Sequence, residues 1–96
     1  MTEFATVAEL LADPVRWTTS KMARNAMGTS VLINAADACC WCLLGAIAKV
    51  YGWQGNQEAL LKVSNVLGVV GPHAISHFND HATHAEVLDI VRRAGI

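Results

Sequence analysis

The 96-residue sequence predicts a mainly α-helical single domain spanning 1–96: a compact bundle of four to five short helices around a central apolar helix, with a small β-hairpin. Three observations lead there. Thr6-Val7-Ala8-Glu9 and Thr83-His84-Ala85-Glu86 each have the spacing of a capping box, in which a hydroxyl and a carboxylate satisfy orphan backbone N–H groups at a helix start. The run Ala38 to Ala48 holds no charged, amide or hydroxyl side chain, so a helix built from it is apolar on every face and belongs inside the fold. Glycine, proline and asparagine punctuate the rest at intervals suited to short helices, and a chain of this length buries roughly 60–70% of its unfolded surface without needing metal or disulfide support.

The first helix is short. Phe4, Val7, Leu10 and Leu11 recur at helical spacing, and Asp13-Pro14 ends or redirects the segment. From Thr18 to Ile33 the helical period fails. Thr29-Ser30-Val31-Leu32-Ile33 is β-branched enough to read as a strand, paired with Lys21-Met22-Ala23-Arg24 across a turn in which Gly28 supplies a positive φ. Two strands alone are marginal in water, so the hairpin must pack on helices.

Asn34 reads as the N-cap of the central helix, with Asp37 favouring the positive end of its dipole; Lys49 and Gly52 are the stop signals. A further helix from Asn56 to Leu67 carries Leu60, Val63 and Leu67 on one stripe and ends at Gly68. Gly71-Pro72 opens a short helical turn through Phe78, closed by Asn79-Asp80. After Thr83, Val87, Leu88, Ile90 and Val91 supply the buried face of the last helix, and Arg92 and Arg93 complement its C-terminus before Gly95.

Seven basic and eight acidic residues leave a formal net charge of -1 with no basic run, so nothing draws the chain toward nucleic acid. No basic leader precedes Glu3 and Glu9, and the longest apolar run is shorter than the ~20 residues that span a bilayer, which predicts a cytoplasmic chain without membrane contact. Three cysteines within four positions form no disulfide framework and suit a reducing compartment. The charged share of 16% is low against about 25% in average globular proteins, and predicts apolar surface for a partner or for self-association.

Candidate chemistry concentrates in the cysteines and histidines. Cys39 and Cys42 have the spacing of a redox pair, but an Asn34 cap puts both thiols at least a turn inside an apolar helix, where a thiol stays protonated and inert. His73, His77 and His81 are the candidate metal ligands, with His84 three residues further and Asp80 as an oxygen donor; a helix break before His84 interrupts their face. A nucleophilic set can be drawn from Cys42 or Cys40, His84 or His77, and Asp80 or Asn79, although no glycine-flanked nucleophile turn accompanies it. The residue types therefore predict neither a catalytic centre nor a cofactor. Trp41 is expected in the core. Trp17, Arg24 and Trp53 are the candidate partner contacts, since Trp and Arg are enriched at interaction hot spots.

Arg16-Trp17, then Ala23-Arg24-Asn25-Ala26-Met27-Gly28, then Trp41-Cys42-Leu43-Leu44-Gly45-Ala46, then Asn79-Asp80 leading to Glu86-Val87-Leu88 resembles a family of small bacterial and bacteriophage proteins of unknown function with A-R-x-x-x-G, W-C-x-x-G-A and N-D…E-V-L motifs. Cys39 and Cys40 before the W-C pair, and Phe78 where Trp is commoner, depart from that pattern. The resemblance implies no active site. Each motif has a structural reading: Gly28 sets the turn, Trp41, Gly45 and Ala46 permit close packing, and Asp80 with Thr83 caps the last helix.

These readings converge on a non-catalytic accessory protein, phage- or mobile-element-encoded, that occludes a host protein or complex, for example as an inhibitor of a bacterial defence system such as CRISPR. The alternatives are a small Cys/His or zinc-dependent hydrolase and a homo-oligomeric structural protein.

Overall fold

The computed structural model describes residues 4–96, apart from the side chains at 53 and 54. Helix α1 spans Val7–Leu11; a 3-10 turn, Pro14–Arg16, follows it. The strands are β1, Ala23–Arg24, and β2, Cys40–Trp41. Helices α2, Leu43–Gly55, α3, Gln57–Leu67, α4, Pro72–His81, and α5, His84–Ala94, complete the chain. The mainly α architecture with a small β element is as the sequence predicts.

The central apolar helix forms, but it begins later than the Asn34 cap implies. Asn34 lies in a turn and its Oδ1 accepts from Lys49 Nζ at 3.2 Å. Cys40–Trp41 is recruited instead as an antiparallel strand, in register Ala23 with Trp41 and Arg24 with Cys40. A short apolar run suits a buried strand as well as a buried helix, and here β1 decides the matter by offering its backbone groups. The Cys39 N–H donates to the Arg24 carbonyl at 2.9 Å and the Cys42 N–H to the Met22 carbonyl at 3.2 Å. The helix therefore starts at Leu43, and Cys42 is its N-cap, with Sγ accepting from the Gly45 N–H at 3.3 Å.

The hairpin also differs in its pairing. The Asn25–Gly28 turn forms, with Gly28 at φ +81° and Asn25 Oδ1 accepting from the Met27 and Thr29 N–H groups at 2.9 and 3.1 Å. Thr29–Ile33 contributes the Arg24–Ser30 bridge, a Thr29 carbonyl that accepts from the Asn25 N–H at 3.0 Å, and a 3.1 Å bond from the Val31 N–H to the Ala23 carbonyl. Beyond that point its arm diverges from Lys21 and Met22. Trp17 adds a parallel bridge to Trp41 on the opposite side.

Around this patch α2 packs against α1, α3 and α4, while α5 closes the bundle against α3 and α1. Leu10, Leu11, Leu43, Ile47, Val63, Ile75, Val87 and Val91 are fully enclosed. Helix α1 is short enough to need outside help at its C-terminus: Arg16 Nε and Nη2 donate to the Leu10 and Glu9 carbonyls at 2.6 and 3.1 Å. Gly52, at φ +77°, breaks α2 near the predicted stop. Helix α4 runs three residues past Phe78, so Asn79-Asp80 lies inside it rather than closing it. Among the described residues no single helix is long and apolar enough to cross a membrane.

Candidate functional site

The densest polar constellation lies where α4 meets the N-terminus of α2 and the segment leading into β1. Asn79 is fully buried at its centre. Its Oδ1 accepts from Trp17 Nε1 at 2.7 Å and from the Leu43 N–H at 3.0 Å, and its Nδ2 donates to the Thr18 carbonyl at 3.1 Å and to Asp80 Oδ1 at 3.3 Å. Leu43 is the first residue of α2, so Asn79 satisfies an orphan helix donor from a distant helix.

Asp80 carries the network on to Ser20. Its Oδ1 accepts from the Ser20 N–H at 2.8 Å, and it plays no part in capping α5, contrary to the sequence expectation. That cap is Thr83, whose hydroxyl accepts from the Glu86 N–H while Glu86 Oε1 accepts from the Thr83 N–H at 2.9 Å. Ser20 has φ +70°, the left-handed region that costs a non-glycine residue about 1 kcal/mol or more, so Asp80 anchors a strained position.

Ser20 opens a groove of about 550 Å³ between residues 20–22 and 30–34. Its walls are mostly apolar, from Met22, Val31, Leu32 and Ile33; Lys21 is the one charged residue in the lining. Leu32 is 81% exposed at its rim, and Met27, at the hairpin tip, is 88% exposed. Sequence reasoning missed this groove, because it arises from the divergence of two segments expected to pair along their whole length.

The residues singled out as partner contacts are tied into the fold by their hydrogen bonds. Arg24 donates from Nη1 to the Gly28 carbonyl at 2.8 Å and from Nη2 to the Thr19 carbonyl at 3.2 Å, closing the turn. Trp41 is buried and its Nε1 donates to the Ile33 carbonyl at 2.9 Å. Trp17 is half-buried between Asn79 and the His84 ring, whose centroid is 5.9 Å away. Gly45 is required by a close approach: a Cβ there would overlap the Met22 carbonyl oxygen and sit 2.9 Å from its carbon. The Trp53 side chain lies outside the described residues.

The candidate nucleophilic set is not assembled. Cys42 is buried, and that burial holds its thiol above its ordinary value; the Gly45 N–H pulls the other way and is outweighed, while the Asp80 charge adds to the rise. Its position as N-cap would by itself favour the thiolate, so burial has overridden the dipole. Burial likewise raises Cys40, with Cys39 beside it adding to the effect. His84 Nε2 lies 2.6 Å from the Leu11 carbonyl, which can only accept, so that nitrogen carries a proton and is committed away from Cys42.

His73, His77 and His81 do share one face of α4, because the helix continues through His81. The break falls at Ala82 and Thr83, which separates His84 from them. Among the described residues no three His, Cys, Asp or Glu side chains converge as metal ligands.

No curated protein and no solved structure matches this chain significantly. A match over residues 3–95, nearly its whole length, shows that the chain belongs to the family described as Family of unknown function (DUF6197).

Proposed function

We propose that this chain is a binding module that acts by occluding a partner protein, and that its contact surface is the groove between residues 20–22 and 30–34 with Leu32 at its edge. One observation carries the reading: hydrogen bonds from separate elements, two from side chains and one from the backbone, fix the backbone of the groove's own lining. Asp80 holds Ser20, Trp41 holds Ile33, and the Cys42 N–H holds Met22. Trp17 and Arg24 thus serve the surface from behind rather than touching the partner.

Leaving Leu32 in water forgoes the ~1.5–3 kcal/mol that burial of such a side chain provides, and a partner restores it. Lys21, in a lining that holds no carboxylate among the described residues, favours an apolar partner segment that bears an acidic group. Occlusion of a host protein, as by a phage- or mobile-element-encoded inhibitor of a bacterial defence system, is a mode of action that such a surface serves without chemistry of its own.

The test is affinity capture from a bacterial host lysate with the wild-type chain and with Leu32→Asp, Lys21→Glu and, as a control elsewhere on the surface, Leu61→Asp. Leu32, Lys21 and Leu61 are all exposed, so these substitutions leave the buried core unchanged. A partner retained by wild type and Leu61→Asp and lost by Leu32→Asp and Lys21→Glu supports the proposal. Equal capture by all four overturns it.

A further inference from the structure

The four histidines divide into two kinds. His84 is packed against Trp17 and hydrogen-bonded to the Leu11 carbonyl. His77 and His81 are exposed, one helical turn apart on α4, with ring centroids 4.4 Å apart and planes inclined at 50°. Among the described residues neither imidazole takes part in a hydrogen bond or an ion pair.

We infer that His77 and His81 form a two-imidazole site for a borderline divalent cation of the Zn2+, Ni2+ or Cu2+ class. Zinc-to-imidazole bonds of about 2.0–2.1 Å place two nitrogen ligands on one ion about 3.0–3.4 Å apart, a separation that rings with centroids this close reach by small side-chain rotations. Both side chains rise from one rigid helix, so the second imidazole binds at high effective concentration once the first has bound. Imidazole selects Zn2+, Ni2+ and Cu2+ over Mg2+ and Ca2+, which require oxygen donors.

The surroundings suit a cation. The pair lines a groove of about 600 Å³ together with Val69, Phe78 and Glu86, and Glu86 brings a carboxylate from α5. Because no third ligand closes the set among the described residues, the ion keeps open positions that face the groove. His73, one turn earlier on the same face, also lines the groove, but among the described residues its ring pairs with no other at comparable range, and it stands outside the inferred pair.

The experiment is calorimetric titration of untagged, metal-free protein with Zn2+ and with Ni2+, using Mg2+ as the hard-cation comparison, on wild type, His77→Ala, His81→Ala and His73→Ala. One ion per chain is expected for Zn2+ and Ni2+ and none for Mg2+. Affinity should fall about tenfold or more in His77→Ala and in His81→Ala, as a chelate becomes a single ligand, and change less than about twofold in His73→Ala. The melting temperature should rise with Zn2+ in wild type and in His73→Ala and stay flat in the other two. Equal affinity in His81→Ala and wild type overturns the assignment, as does an equal loss in all three variants, which marks unselective surface imidazoles.

Discussion

Trp17 and Asn79, 62 positions apart in sequence, share a 2.7 Å hydrogen bond from the indole Nε1 to the amide Oδ1. The same oxygen takes the Leu43 N–H. One buried amide thus ties the segment before β1, the start of α2 and the end of α4 together, and through Asp80 it continues to the strained Ser20 at the groove. The fold's specificity rests on this bond pattern as much as on its apolar core.

Asn79→Ala is expected to cost about 2–4 kcal/mol, because it strands two donors away from water. Trp17→Phe removes the indole donor and part of the ring volume, for about 1–3 kcal/mol. Asn79→Asp retains the accepting oxygen but turns a carboxylate on the Thr18 carbonyl, and should be as damaging as Asn79→Ala. Urea unfolding followed by far-UV circular dichroism measures all three; an Asn79→Ala chain as stable as wild type would contradict the role.

Two glycines separate steric from conformational need. At Gly45 the obstacle is the Met22 backbone, which cannot swing aside, so Gly45→Ala should cost about 2–3 kcal/mol or more by forcing β1 and α2 apart. At Gly28 nothing lies within 4 Å of a new Cβ, and only the +81° φ opposes it, for about 1–2 kcal/mol. The same unfolding measurement should rank Gly45→Ala well below Gly28→Ala in stability.

The contrast between these glycines also marks what was legible in the sequence. Local signals held: the Thr83–Glu86 capping box, the Gly28 turn, the Gly68 stop and the apolar character of α2 depend on neighbours within a few residues. What failed was long-range. Nothing near Cys40 reveals that β1 claims it as a strand, so the Asn34 cap gave way to Cys42. Asn79 reads as a helix terminator because its usual competition with the backbone is local, whereas here its amide is consumed by Trp17 and Leu43. The groove was hidden for the same reason, since its walls separate only once the pairing of Thr29–Ile33 is seen to stop at Val31.

Arg24 tests whether a residue expected at a partner surface acts inside the fold. Its guanidinium fork reaches both the Gly28 and Thr19 carbonyls, which a single ammonium cannot do in that geometry. Arg24→Lys should therefore destabilise by about 1 kcal/mol while leaving the charge intact. Amide hydrogen exchange should quicken within residues 24–30 and remain unchanged in α5. Unaltered exchange at the turn would return Arg24 to the list of surface contacts.

Cys42 gives a pH prediction whose sign follows from its burial. Its thiol is held above the ordinary value of 9.0, so the folded chain keeps a proton that the unfolded chain releases. Stability from this group is fully present below about pH 9 and is lost as pH rises through the higher folded value. Cys42→Ser retains an oxygen to accept the Gly45 N–H, as a favoured N-cap residue, and does not titrate in this range. The variant should lie within about 1 kcal/mol of wild type at pH 7 and lose less stability between pH 7 and 10, as read from urea midpoints. Thiol labelling adds an independent check: the exposed Cys39 should react with an aromatic disulfide reagent at once, and Cys42 only as the chain unfolds. Prompt modification of Cys42 in the folded protein, or an alkaline slope unchanged in Cys42→Ser, would show that the thiol is not held protonated by the core.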